Sequence, residues 1–173
     1  MNNIKGKEVT RLTLIFSLAY MVSYITRINF GAIISEIERV TQLERALLSM
    51  AVTGSFITYG VGQLVSGAIG DRLSPKKLVM WGFACTSCMN LFIPLFKNPY
   101  IMTAIWCLNG FAQSFMWPPL VRLMAELFSE NDYKKAVTRV SWGSSFGSII
   151  VYLMSPILIH LFGWQSVFIV SAP

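Results

Sequence analysis

Long apolar runs separated by short charged segments constrain this chain more than any other feature of its sequence. A helix needs about 20 residues to cross a hydrocarbon core of about 30 Å. Five runs reach that length: residues 12–34, 47–70, 78–96, 100–121 and 137–162. A β-barrel would instead show segments of about 10 residues with alternating polarity. The sequence therefore predicts an all-α membrane protein, and residues 164–173 predict a sixth helix that is incomplete.

The composition excludes an ordinary soluble domain. Only 13% of the 173 residues are charged and 54% are hydrophobic, and the mean hydropathy is +0.58. A soluble domain carries about 25% charged residues. The net charge of +6 is compatible with a nucleic-acid partner, but the basic residues fall in clusters between apolar runs, which is typical of membrane topology. No nucleic-acid partner is predicted.

The distribution of basic residues predicts the orientation of the chain. The N-terminal segment 1–11 and the connections after the second and fourth runs hold most of the Lys and Arg: Lys5, Lys7, Arg11, Arg72, Lys76, Lys77, Arg122, Lys134, Lys135 and Arg139. Loops rich in Lys and Arg stay in the cytoplasm. We therefore predict a multi-pass protein of a bacterial inner membrane, with residues 1–11 forming a cytoplasmic N-terminus.

Arg27 is a charged residue inside the first apolar run. A charge at the centre of a membrane helix costs at least about 2.5–3.5 kcal/mol. One interpretation is that the side chain extends to the outer interface. The other is a cavity wall, because its helical face also carries Tyr20, Ser23, Tyr24 and Gly31. None of the five runs contains Asp or Glu, and the guanidinium fork suits phosphate or carboxylate. The second interpretation predicts an anionic ligand.

Small and uncharged polar residues recur inside the runs. The GxxxG sequence of Gly143 and Gly147 favours close helix packing, with ligand contact as the alternative. Gln63, Asn90 and Gln113 are suited either to hydrogen bonds between helices or to substrate contact, and the sequence does not choose between these roles.

The loop GAIGDRLSPKK, residues 67–77, connects the second and third predicted helices. In physical terms it is an ordinary basic loop at the cytoplasmic face. Its pattern G-x-x-x-D-R-x-x-x-K-K resembles the signature loop of the major facilitator superfamily, although Ser74 stands where glycine is usual. The resemblance implies a gating role for Gly67, Asp71, Arg72, Lys76 and Lys77. Arg122, on the next cytoplasmic segment, is added to this set as the expected partner of the Asp71 carboxylate.

Two further stretches narrow the resemblance. NGFAQSFMWPPLVRLMAELF, residues 109–128, resembles the fourth helix of the organophosphate:phosphate antiporters, with their N-G-x-x-Q-x-x-x-W-P-P-x-x-R pattern. YITRINF, residues 24–30, resembles the first helix of the same family, whose arginine contacts substrate phosphate. Phe146 stands where some members carry a binding-site histidine. For Trp117, anchoring at the lipid interface is the alternative to substrate contact.

This resemblance implies the N-terminal six-helix half of a major facilitator fold, truncated in the sixth helix. The implied function is secondary transport of organic phosphate esters, in exchange for inorganic phosphate and by alternating access. The implied substrate-binding residues are Tyr20, Tyr24, Arg27, Gln113 and Trp117. The expected partners are a phosphate-bearing anion, membrane lipid and the C-terminal half of the same transporter. The alternatives are a sugar-phosphate sensor of the same fold and an inactive or dimerising half-unit. No cofactor, metal ion or catalytic residue is predicted, and an enzyme is not expected.

Overall fold

The fold is a bundle of long apolar helices. A computed structural model describes residues 6–70 and 72–172, and this part of the chain is helical without strands. Its α-helices are α1 Lys7–Ala32, α2 Ile34–Thr41, α3 Arg45–Gly70, α4 Pro75–Phe92, α5 Pro99–Gln113, α6 Trp117–Leu127, α7 Glu130–Phe162 and α8 Gln165–Ser171, with a 3-10 turn at Ile93–Leu95. Four segments are long and apolar enough to span a membrane: Lys7–Ala32, Arg45–Gly70, Pro75–Leu95 and Glu130–Phe162. The predicted all-α membrane fold is confirmed.

The fourth apolar run is not one helix. The sequence predicts one helix over 100–121, bent by its double proline, whereas the structure ends α5 at Gln113 and starts α6 at Trp117. Pro118 and Pro119 have no N–H to donate to the carbonyls of Ser114 and Phe115, so the α-helical ladder stops there. The amides of residues 114–116 instead bond to carbonyls three residues earlier, at 3.1–3.2 Å. The run therefore bends at the double proline.

The other helices begin and end at residues suited to these positions. α4 and α5 each start with a proline at the first helical position, and the Asn98 side chain accepts hydrogen bonds from two amides of the α5 N-terminus. α7 starts at Glu130 rather than at the predicted residue 137, because Ser129 caps it and acidic residues occupy its first turn. α1 likewise extends outward from the predicted residue 12 to Lys7.

Glycine allows α7 to lie directly on α1. A Cβ atom added to Gly143 would stand 2.5 Å from the Ser17 carbonyl oxygen, and one added to Gly147 would stand 2.6 Å from the Met21 carbonyl oxygen. No real side chain fits at such distances, so the GxxxG sequence serves helix packing. This contact fixes α1 on one side of the bundle.

Two apolar clusters pack against α1, one towards each of its ends. Phe16 packs with residues of α6 and α7, including Met124 and Val140. Phe30, about 21 Å further along the helix, packs against Trp106 and Phe168 with ring centroids 5.2 and 5.9 Å away. Between these clusters, α1 carries Arg27 on one face and a group of buried polar residues on another.

Candidate functional site

Aromatic rings surround the guanidinium of Arg27. Its central carbon lies 3.7 Å from the ring centroid of Tyr59, 5.3 Å from that of Phe56 and 5.6 Å from that of Tyr24. The negative faces of aromatic rings attract a cation by about 0.5–2 kcal/mol each. Within residues 6–70 and 72–172, no ion pair involves Arg27. The rings stabilise the positive charge of Arg27 but supply no negative charge to neutralise it.

The aromatic group continues along α1 towards α6. Tyr20 lies edge-on to Tyr24 with ring centroids 5.2 Å apart, and its other side meets Trp117 at 4.6 Å. The structure thus places together four of the five residues expected to bind substrate: Tyr20, Tyr24, Arg27 and Trp117. Trp117 is the first residue of α6, directly after the turn at residues 114–116. We call Tyr20, Tyr24, Arg27, Phe56, Tyr59 and Trp117 the arginine–aromatic site.

Phe56 and Tyr59 on α3 are members that the sequence analysis missed. They lie one helical turn apart, and the Tyr59 hydroxyl accepts a hydrogen bond of 2.9 Å from Gln63 Nε2, one further turn along. A polar and aromatic stripe at this spacing in an apolar helix was the available signal. This stripe did not identify Phe56 and Tyr59 as site residues, because a single sequence does not show which face of α3 contacts α1.

Gln113, the fifth residue expected to bind substrate, lies in a different environment. Its side chain is 2% exposed, and Nε2 donates a 2.8 Å hydrogen bond to Thr26 Oγ1. Thr26 precedes Arg27 in sequence but points into the bundle, with no exposed surface. Gln113 therefore contacts the helix that carries Arg27 rather than the arginine–aromatic site itself.

The structure brings together only some of the residues expected to act in gating. Arg122 Nη1 donates to the carbonyl oxygen of Gly70 at the end of α3, and its Nε pairs with Glu126 at 2.7 Å. Arg122 and Gly67 line one small cavity of about 80 Å³ between α3, α4 and α6. The expected partner, Asp71, lies outside the described residues. The contact to Gly70 places a cation at the negative C-terminal end of α3, where it stabilises the helix.

Arg72, Lys76 and Lys77, the remaining loop residues, are exposed. None of them forms an ion pair with a residue that the structure describes. Phe146 on α7 is 57% exposed and does not contact the Arg27 guanidinium. Where the chain is described, no group of three or more His, Cys, Asp or Glu is placed to hold a metal ion.

The arginine–aromatic site is suited to binding an anion. Arg27 is half-buried, and its fork of N–H donors matches two oxygens of a phosphate. Tyrosine hydroxyls add further donors, while flat rings suit the carbon skeleton of an organic ligand. The site offers neither a nucleophile paired with a base nor a pair of carboxylates.

Comparison with known proteins identifies the family of this chain. The family model described as Major Facilitator Superfamily matches residues 16–173. The chain belongs to the major facilitator superfamily. This confirms the prediction made from the loop at residues 67–77. It is also consistent with the predicted N-terminal half of that fold and with an integral membrane protein.

Curated relatives of this major facilitator chain carry sugar-phosphate names. It is 24% identical over 163 residues to a "Probable hexose phosphate transport protein" of Chlamydia trachomatis, covering 93% of this chain and 36% of that protein. It is 27% identical over 152 residues to "Membrane sensor protein UhpC" of Escherichia coli, covering 86% and 34%. It is 29% identical over 140 residues to "Sugar phosphate exchanger 3" of Xenopus laevis, covering 76% and 27%.

The chain therefore spans about a third of the length of these relatives. Their names agree with the resemblance to organophosphate:phosphate antiporters that residues 24–30 and 109–128 indicate. What these proteins transport or sense is a property of the longer proteins.

Proposed function

We propose that this chain belongs to a secondary transporter of organic phosphate esters in a bacterial inner membrane. The phosphate group binds at Arg27 between two halves of the protein. The halves rock about this site so that it opens to one side of the membrane at a time. Inorganic phosphate returns through the same site, so transport is an exchange.

The arrangement of Arg27 is the observation that supports this proposal most. The guanidinium is half-buried and faces Tyr24, Phe56 and Tyr59, yet forms no ion pair with a described residue. A charge inside a membrane protein is expensive unless it has a function or a partner. A phosphate ester supplies that partner, and the names of the relatives favour a sugar phosphate as the ester.

The decisive experiment compares Arg27→Lys with the unaltered protein. The complete product of the gene is reconstituted into vesicles loaded with inorganic phosphate, and uptake of labelled glucose 6-phosphate is measured. Lysine keeps the charge but loses the bidentate fork, so uptake should fall by about tenfold or more.

Arg122→Lys is the matched control, because it makes the same change at an arginine that bonds to Gly70 and Glu126 and is not part of the arginine–aromatic site. Its apparent affinity for glucose 6-phosphate should stay close to that of the unaltered protein. Normal uptake by the Arg27→Lys variant would remove Arg27 from the site and overturn the proposal.

We further propose that residues 1–11 lie in the cytoplasm and that the loop at 67–77 gates that side. The clustering of Lys and Arg supports this orientation. The Arg122 contact with Gly70 supports a structural link between α6 and the start of the loop. A cysteine placed at Leu73 tests both parts. It should react with a membrane-impermeant maleimide only from the cytoplasmic side, and less readily when the transporter is closed on that side. Labelling from the outside would contradict the orientation.

A sensor is the second candidate function, favoured by the match to the membrane sensor protein. A sensor would bind glucose 6-phosphate at Arg27 without carrying it across. Binding to the purified protein without uptake into vesicles would support the sensor, whereas exchange would support the transporter.

An inactive or dimerising half-unit is the third candidate. The coding sequence downstream of codon 173 tests it directly. An open frame with six further membrane helices would support a full transporter, and a stop codon would support the half-unit.

A further inference from the structure

Thr26 is held by side-chain amides from two neighbouring helices. Its backbone oxygen accepts hydrogen bonds from Asn90 Nδ2 on α4, at 3.1 Å, and from Asn109 Nδ2 on α5, at 3.2 Å. Its hydroxyl accepts from Gln113 Nε2 at 2.8 Å and donates to the Ser23 carbonyl at 2.9 Å. Three amide side chains thus converge on the residue directly before Arg27.

This cluster is sealed from water and lipid. Thr26, Asn90, Asn109 and Gln113 are between 0 and 2% exposed, and so is Asn29, which bonds to Asn90 Oδ1 at 2.7 Å. A buried amide without a partner is strongly unfavourable, and the surroundings offer no water to replace a lost hydrogen bond. Turning α1 about its axis would break several of these bonds at once, so the cluster fixes the rotation of α1.

The rotation of α1 decides where the Arg27 guanidinium lies. Consecutive helical residues point about 100° apart, which separates the face of Thr26 from that of Arg27. Side chains reach about 5–6 Å from the helix axis, so a rotation of about 20° would move the guanidinium by roughly 2 Å. Such a displacement exceeds the tolerance of a bidentate hydrogen bond to phosphate.

We infer that Thr26 is a positioning residue for Arg27: through its bonds to Asn90, Asn109 and Gln113 it aims the guanidinium at the phosphate of the substrate. This inference rests on the proposed function. It assigns Gln113, predicted from sequence to bind substrate, an indirect role behind the site. It also explains why amide side chains lie in the apolar core, where leucine would pack but would form no hydrogen bond.

Thr26→Val tests the inference, because valine keeps the shape of threonine and removes the hydroxyl that accepts from Gln113. The measurement is the dissociation constant of glucose 6-phosphate for the folded, purified product of the complete gene. We expect affinity to fall by about tenfold. Thr26→Ser restores the hydroxyl and should restore affinity.

Thr13→Val is the matched control. Thr13 is also a buried threonine of α1, but its hydroxyl bonds only to the Val9 carbonyl within the same helix, at 2.8 Å. Its substitution should leave affinity unchanged. If Thr26→Val does not fold, Asn109→Leu removes one of the amides bonded to Thr26 and should weaken binding in the same direction.

A double-mutant cycle separates positioning from general stability. In the Arg27→Lys background, Thr26→Val should have no further effect on affinity, because the residue through which it acts is already altered. Additive effects, or unchanged affinity in Thr26→Val, would overturn the positioning role while leaving the proposed function intact. Unchanged affinity in Arg27→Lys alone would instead overturn the proposed function.

Discussion

Arg27 and Arg122 are the same side chain in two different settings of one bundle. Arg122, in the middle of α6, bonds to the Gly70 carbonyl and pairs with Glu126 one helical turn along. Arg27, deep in α1, has only rings beside it and no ion pair among the described residues. The fold satisfies the first cation internally, and we propose that the second pairs with an anion from outside. Location in a helix alone does not distinguish these roles, but the partners do.

The largest effect should come from placing a carboxylate beside Arg27, as Glu126 lies beside Arg122. Gly31→Glu places a carboxylate four residues after Arg27, as Glu126 follows Arg122, and a Cβ at Gly31 meets only Val52, at 3.9–4.0 Å. An internal ion pair then competes with the ligand. We expect the affinity for glucose 6-phosphate to fall about 100-fold, or about 2.8 kcal/mol, measured by calorimetry.

Gly31→Gln is the control for that substitution, since it adds nearly the same bulk without charge. It should bind nearly as tightly as the unaltered protein. Equal affinity in the Glu and Gln variants would show that Arg27 does not hold the phosphate, and the contrast between the two arginines would lose its functional meaning.

A much smaller effect is expected from removing the partner of Arg122. The Arg122 and Glu126 side chains are 41% and 46% exposed, so Glu126→Gln should lower the free energy of unfolding by about 0.3–0.5 kcal/mol. Affinity for glucose 6-phosphate should not change. Denaturant unfolding and calorimetry measure the two quantities, and a tenfold loss of affinity would contradict the structural role assigned to this pair.

The smallest effect should come from a third arginine, Arg39, whose side chain is 71% exposed. Its two hydrogen bonds to Glu36, at 2.7 and 2.8 Å, lower the pKa of that carboxyl below its ordinary value of 4.5. The pair therefore stabilises the fold above pH 4.5, and its contribution is lost as the pH falls through the lowered pKa. The melting temperatures of the unaltered protein and Glu36→Gln should differ slightly near neutral pH and converge in acid. A difference that grows in acid would contradict this assignment.

The fold class was predictable from the sequence, because the fold class depends on continuous apolar runs and on the spacing of charges between them. Arg27, Tyr20 and Tyr24 were predictable as neighbours because they share one face of one helix. The contact of α3 with Arg27 was not, since Phe56 and Tyr59 meet it only through tertiary packing. The role of Gln113 was not predictable either, because its amide is equally suited to binding a ligand and to bonding to Thr26. The double proline predicts a bend because it removes two N–H groups, but the sequence does not show that the run divides into two helices at residues 114–116.

The adjacency of Thr26 and Arg27 has an evolutionary consequence. One face of α1 carries hydrogen bonds to α4 and α5, and a separate face carries the rings that we propose contact a ligand. Substitutions at Tyr20 or Tyr24 leave the bonds of Thr26 and Asn29 unchanged, so a lineage can acquire a new cargo without losing its architecture. Descendants that diverge in cargo should retain Thr26, Asn29 and Asn90 while Tyr20 and Tyr24 vary.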